Sequence, residues 1–219
     1  MRGAVIVLGM LAVLVGATDV GARDCAAAGR SVDAGYARYN EEDRADEALR
    51  LKRAEGLAAR QDGRLRLKLD GGRSIELADC PYGRDARWYL FERYDRPGRF
   101  YVVRTQSPDD FSYTLVMMPT GERVTVHGSP VWASEKSRFL TVACSLQPPR
   151  AALHIRAPAG DTLETEATFP LPCDTESCSA RWDRDTWIAV TCVPRDGGRK
   201  GAEYVVIRNK DGEWNRFGR

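Results

Sequence analysis

Histidine and methionine are scarce in this sequence, and several catalytic motifs are missing. Only two histidines and four methionines occur among 219 residues. The chain has no Gly-x-Ser-x-Gly elbow for a serine nucleophile and no glycine fingerprint for a dinucleotide. Basic and acidic residues nearly balance, at 33 against 31, and they are interspersed along the chain. This balance provides no long-range field for nucleic acid, so we expect no nucleic-acid partner.

The only long apolar stretch lies at the amino terminus. Arg2 precedes an apolar run from residue 4 to 17, and the small residues Val20-Gly21-Ala22 follow it. This layout is typical of a secretory signal peptide, and the run is shorter than the roughly 20 residues that span a bilayer. We therefore predict a signal peptide at 1–22 and a periplasmic or secreted mature protein without a membrane span.

The cysteines fit export to an oxidising compartment. All six lie after residue 22, at Cys25, Cys80, Cys144, Cys173, Cys178 and Cys192. An even number in an exported chain predicts three disulfides. Sequence proximity favours Cys173–Cys178, equivalent repeat positions favour Cys144–Cys192, and Cys25–Cys80 remains. The spacing lacks a second close cysteine pair or a histidine pair, so we predict no metal site and no cofactor.

One helix is predicted, in an N-terminal segment at 23–63. Asn40 is a candidate N-cap, three acidic residues follow it, and basic residues accumulate toward Arg60. The apolar stripe is narrow, and Gly56 interrupts it. We expect this helix to act as an arm or lid more than as a core element.

The remaining residues, 64–219, predict a β domain. Residues 64–69 and 74–77 alternate polar and apolar side chains around Asp70-Gly71-Gly72, as in a hairpin with one exposed face. Further strand pairs are expected at 88–92 with 99–105 and at 112–118 with 123–127. Single strands are expected at 152–156, 187–193, 204–208 and 214–217. The fold class predicted is mainly β, with propeller-like or sandwich-like antiparallel sheets.

A faint repeat runs through this β domain. Trp88, Phe139 and Trp187 each open an apolar strand, 51 and then 48 residues apart. We expect these three aromatic residues to occupy equivalent, buried positions. The segment from Pro130-Val131-Trp132 to Leu140 resembles the blade entry of TolB-type β-propellers, and 180–190 resembles it more loosely. That resemblance, over residues 87–217, implies a circular scaffold that binds proteins or glycans.

Two groups of side chains are candidate binding residues. Arg64, Arg66 and Lys68 share one face of a strand and could bind an anionic envelope polymer; alternatively, they protect an edge strand from pairing with other chains. Tyr89 and Tyr101 belong to an aromatic cluster and could line a surface, although alternation also suits a core.

Catalysis has little support in the sequence. His127 and His154 lie at a strand end and on a polar strand face, and the paired carboxylates lie in turns or on solvent-facing strands. We therefore predict a non-catalytic binding module that interacts with a protein or glycan of the cell envelope. The alternatives are a hydrolase of an envelope polymer and an enzyme inhibitor that uses Asp174 and Glu176 in a loop closed by Cys173 and Cys178.

Overall fold

The computed structural model describes residues 34–80, 86–107, 110–144, 151–171, 175–194 and 202–218. Residues 34–41, 175–177, 193–194, 202 and 218 are described by their backbone alone. Within these described residues the chain forms one α-helix, α1 (Ala34–Arg53), and then fifteen strands in four antiparallel sheets. In each sheet the strands follow one another in chain order, so the architecture is a series of four meanders. The mainly-β prediction is confirmed, and the arrangement is compatible with both propeller-like and sandwich-like packing.

The sheets are numbered I to IV along the chain. Sheet I contains β1 (Ala58–Gln61), β2 (Arg64–Lys68) and β3 (Ser74–Ala78). Sheet II contains β4 (Trp88–Asp95), β5 (Phe100–Gln106), β6 (Phe111–Met117) and β7 (Arg123–Val126). Sheet III contains β8 (Val131–Trp132), β9 (Phe139–Ala143), β10 (Ala152–Ala159) and β11 (Thr162–Pro170). Sheet IV contains β12 (Thr175–Arg184), β13 (Trp187–Pro194), β14 (Ala202–Arg208) and β15 (Trp214–Gly218).

Helix α1 differs from its prediction at both ends. It begins at Ala34, before the proposed cap Asn40, and it ends at Arg53 rather than near Arg60. After the helix two successive residues adopt left-handed φ values, Glu55 at 50° and Gly56 at 77°. Glycine accepts this conformation without steric penalty, so Gly56 helps the chain to leave the helix. The next residues then pair in β1, where Ala58 lies opposite Leu67.

In the part of α1 whose side chains are described, 42–53, the most buried residue is charged rather than apolar. Leu49 is 53% exposed, and Ala45 and Ala48 of the predicted apolar stripe are also exposed. Glu47, by contrast, is buried. Among these described side chains, Arg50 pairs with Glu92 of β4, while Leu51, together with Ala54 just after the helix, contributes apolar contact.

Three hydrophobic layers hold the four sheets together. The first joins sheets I and II and includes Leu65, Leu67, Tyr101 and Val103. The second joins sheets II and III through residues such as Phe100, Val102 and Phe139. The third joins sheets III and IV through residues such as Leu140, Ile155, Ile188 and Val206.

Strand β5 shows how burial on both faces determines the sequence of a strand. Its residues Phe100 to Val103 are all buried, because alternate side chains enter the layers on opposite sides of sheet II. A strand covered on both faces has a continuous apolar run instead of an alternating one. Each fully buried aromatic or aliphatic side chain contributes about 1.5–3 kcal/mol.

The predicted aromatic repeat is correct in part. Trp88 and Phe139 are buried, but Trp187 is 40% exposed, so its predicted core position is wrong. Trp187 lies on β13 of sheet IV, the last sheet of the series. An end sheet has a neighbouring sheet on one side, which explains why a side chain on it can remain exposed. Moreover, Phe139 and Trp187 open the second strands of their sheets, whereas Trp88 opens a first strand. The topological equivalent in sheet II is Phe100.

The disulfide connectivity also differs from the prediction. Cys144, which follows β9, pairs with Cys178 of β12, with 5.5 Å between their Cα atoms. The predicted pairs Cys144–Cys192 and Cys173–Cys178 are therefore wrong. Cys178 lies opposite Cys192 in sheet IV, but its sulfur bonds to sheet III. Cys80 and Cys192 are also oxidised, whereas Cys25 and Cys173 lie outside the described residues.

Candidate functional site: a cationic strand and its support

The three cations predicted as a binding group lie on one exposed face of β2. Burial alternates along this strand: Leu65 and Leu67 face the core, while Arg64, Arg66 and Lys68 face solvent. We refer to these three side chains as the cationic strand face. Neighbours on one face of a strand are two residues apart, which corresponds to about 6.6–6.8 Å.

The position of β2 excludes the alternative role of edge protection. β2 pairs with β1 on one side and with β3 on the other, so it is the central strand of sheet I. A central strand has no free edge to protect. Because sheet I is the first of the series, this face is instead a broad, solvent-accessible sheet surface.

Among the described side chains, only Glu76 forms an ion pair with the cationic strand face. Arg64 Nη1 lies 3.4 Å from Glu76 Oε2, in a pair that is about half exposed on both sides. Arg66 Nε donates to Ser74 Oγ at 3.0 Å, which neutralises no charge. Among the described residues, Lys68 has no side-chain ion pair. An exposed pair contributes little binding energy, so this face retains positive charge.

A buried ionic cluster fixes sheet I against α1 and sheet II. Arg60 of β1 donates from Nε and Nη2 to both carboxylate oxygens of Glu47, at 2.6 and 2.9 Å. Glu47 also accepts the backbone N–H of Phe91 at 2.7 Å. The Glu47 carboxylate thus contacts both sheet I and sheet II, and it fixes the position of β1, which pairs with β2.

Asp79 completes this cluster after β3. It accepts hydrogen bonds from Arg60 Nη1 at 3.1 Å and from the backbone N–H of Tyr89 at 2.9 Å, and it pairs with Arg44. Burial raises the pKa of Asp79 above its ordinary value, and the two arginines oppose that rise only in part. Two arginines and two carboxylates therefore balance in charge, which indicates a structural role for this cluster.

Neither predicted tyrosine forms an exposed aromatic surface. Tyr101 is fully buried, so its predicted surface role is wrong. Its hydroxyl donates to the backbone oxygen of Lys68, and burial raises its pKa to about 12. Tyr89 is half-buried and packs against the same core. Both rings therefore support the sheet that carries the cationic strand face.

The predicted disulfide between Cys173 and Cys178, which would close the acidic loop, does not form. The side chains of Asp174 and Glu176 lie outside the described residues. Because Cys178 bonds to Cys144, a disulfide to Cys173 does not close a six-residue loop. The rigid acidic loop of the inhibitor hypothesis is therefore not formed in the manner predicted.

His154 has a structural partner across its strand pair. His154 Nδ1 lies 3.0 Å from Thr168 Oγ1 across the β10–β11 pair, and burial lowers the pKa of its ring, assisted by Arg156 and His127. Within the described ranges, no group of three or more histidine, cysteine, aspartate or glutamate residues could hold a metal ion. No helix in that part of the chain is long and apolar enough to cross a membrane.

Sequence reasoning missed a cleft between α1 and β4. The cleft has a volume of about 280 Å³ and lies where the helix ends beside sheet II. Its charged lining residues are Arg50, Arg53, Arg93, Arg96, Glu55 and Glu92. Only contact between the helix and β4 brings these residues together, although the basic last turn of the helix is visible in the sequence.

Comparison with known proteins gives no relative from which function could be transferred. No family model, curated protein or solved structure matches this chain. The resemblance to TolB-type β-propellers remains a prediction.

Proposed function

We propose that this protein is an exported, disulfide-stabilised, non-catalytic binding module, and that its cationic strand face binds an anionic glycan of the cell envelope. The observation that carries this proposal is the exposure of Arg64, Arg66 and Lys68 on the central strand of an end sheet. Strand geometry arranges the three charges in a row. A polymer with repeated negative charges could contact several of them at once.

The physical basis of such binding is electrostatic attraction with little burial. Exposed cations contact carboxylates or sulfates without a large desolvation penalty. Because water and salt surround these charges, each single contact is weak and is screened by salt. The ionic cluster of Glu47, Arg60 and Asp79 supports this mode because it holds sheet I rigidly against its neighbours. A rigid surface loses little entropy when it binds.

The test is direct binding of the mature protein to polygalacturonate, with dextran as the neutral glycan. We expect polygalacturonate to bind at low ionic strength, dextran not to bind, and salt to weaken the interaction. Neutralising the face with Arg64→Gln, Arg66→Gln and Lys68→Gln should reduce affinity at least about tenfold. The matched control neutralises Arg181, Arg184 and Lys210, which are exposed in sheet IV or its turn.

Each outcome of this test bears on the proposal. Equal affinity of the two triple variants, or equal binding to dextran, would contradict it. If the polymer becomes shorter during incubation, the hydrolase alternative replaces the binding module. The cleft beside α1, which contains no histidine among its lining residues, is where such a reaction would be examined first.

A further inference from the structure

The cleft beside α1 combines apolar lining residues with four arginines. Ala54, Leu57 and Phe91 line its apolar part, and Phe91 is almost fully buried. Four arginines face two glutamates around this apolar part. Tyr94 completes the wall, and its ring packs on Tyr101 with 5.2 Å between the ring centroids.

Two of the four arginines are already held by the protein. Arg50 Nη1 lies 3.2 Å from Glu92 Oε2. Arg93 contacts Asp95 at 3.4 Å, donates to the backbone oxygen of Pro130 at 2.9 Å and donates to Ser129 Oγ at 3.3 Å. These two side chains therefore form a fixed part of the cleft.

Arg53 and Arg96 differ from this pair. Within the described part of the chain, neither side chain takes part in a hydrogen bond or an ion pair, and both are exposed at the cleft. Arg53 has a structural explanation, since a cation in the last turn stabilises the helix dipole. Arg96 lies in the turn between β4 and β5, where no helix end accounts for it.

We propose that this cleft binds a small organic anion, a phosphate monoester or carboxylate carried on a ring or short apolar group, with Arg53 and Arg96 as the anion ligands. Arginine suits this chemistry because its planar fork donates two parallel hydrogen bonds to a carboxylate or phosphate. Tyr94, Leu57 and Phe91 would contact the apolar group. A volume of about 280 Å³ lies near the lower end for small-molecule sites, about 300 Å³, so the ligand is small.

This site is distinct from the cationic strand face. The strand face is an open row of charges, whereas the cleft is concave and partly apolar. Leu57 lines the cleft, and its backbone oxygen accepts the N–H of Lys68 at 2.9 Å. The two sites are therefore neighbours that can be tested separately with different probes and different variants.

The experiment measures binding of phenyl phosphate, inorganic phosphate and phenol by titration calorimetry. We expect phenyl phosphate to bind more tightly than inorganic phosphate, because only phenyl phosphate supplies both the anion and the ring. We expect phenol not to bind. Arg53→Gln and Arg96→Gln should each weaken phenyl phosphate binding at least about tenfold. Tyr94→Ala should weaken phenyl phosphate binding and leave that of inorganic phosphate unchanged.

Lys52→Gln is the matched control, because it removes one charge from the same helix turn and Lys52 does not line the cleft. It should change the affinity less than about twofold.

Arg96→Gln lies outside the helix, so it tests the anion site even if Arg53→Gln weakens the helix end. The inference is overturned by absence of binding at about 1 mM phenyl phosphate, or by equal loss in Lys52→Gln and Arg96→Gln. The triple variant of the cationic strand face should leave phenyl phosphate binding intact, so failure of one proposal leaves the other standing.

Discussion

Arg60 binds both carboxylate oxygens of Glu47, from Nε at 2.6 Å and from Nη2 at 2.9 Å. Glu47 lies in α1 and Arg60 lies in β1, so this pair joins the helix to the first sheet. The carboxylate is almost completely buried, and it also receives a backbone N–H from β4. The helix is therefore attached by a desolvated ion pair in which each charge depends on its partner.

Glu47→Gln should destabilise the fold strongly. Removing one partner of a buried ion pair leaves the other charge without compensation, which typically costs about 3–5 kcal/mol. Chemical denaturation measures this loss. Glu42→Gln is the matched control because Glu42 is exposed in the same helix, and it should change stability by less than about 0.5 kcal/mol. Equal effects of the two substitutions would mean that the ion pair does not hold the helix.

Phe139→Ala should cost much more stability than Trp187→Ala. Phe139 is fully buried between sheets II and III and contacts the rings of Phe100 and Trp132. Its truncation should cost about 3–5 kcal/mol. Trp187 is 40% exposed, so its truncation removes a smaller share of buried apolar contact. The loss in free energy of unfolding should therefore be clearly smaller. Denaturant titration of both variants tests the ranking, and a larger loss at Trp187 would contradict the exposed position.

The Cys144–Cys178 disulfide, which joins sheet III to sheet IV, should contribute to the free energy of unfolding. It closes a separation of 34 residues, and native disulfides typically contribute about 2–4 kcal/mol. Replacing both cysteines with serine should lower the free energy of unfolding by a similar amount. Non-reducing peptide mapping checks the connectivity, since a peptide that links Cys144 to Cys192 is incompatible with this structure.

The stability of the protein should fall as His154 becomes protonated. Burial, together with Arg156 and His127, lowers the pKa of His154 below 6.5. The unfolded chain then binds the proton at a higher pH than the folded protein does. Stability from this residue is present above pH 6.5 and is lost as the pH falls through the lower, folded pKa. The free energy of unfolding of the wild type minus that of His154→Gln should therefore decrease as the pH falls across this interval, and an NMR titration midpoint at or above 6.5 would contradict the assignment.

Export should remove residues 1–22. The positive residue Arg2, the apolar run that follows it and the small residues at 20–22 support cleavage before Arg23. N-terminal sequencing of the protein recovered from the periplasm or the medium is the measurement. Recovery of intact Met1 from that compartment would contradict cleavage.

The local features of the fold followed from the sequence. Residues 64–69 and 74–77 were predicted as a hairpin, and they form β2 and β3, because period-two alternation reports burial of one strand face. Strand β5 was also predicted, since an apolar run bounded by turn residues is typical of a buried strand. The cationic strand face belongs to the same class of inference: alternation alone placed Arg64, Arg66 and Lys68 together.

Contacts between sheets were decided only by the tertiary structure. The sequence did not distinguish Cys178 from Cys192 as the partner of Cys144, because the two lie opposite each other in one sheet and only the packing of sheet III on sheet IV brings Cys178 to Cys144. The exposure of Trp187, the burial of Tyr101 and the cleft between α1 and β4 depend on the same kind of packing. Alternation specifies which side chains share a face of a strand, whereas the position of a strand in its sheet, and of a sheet in the series, specifies whether that face is covered.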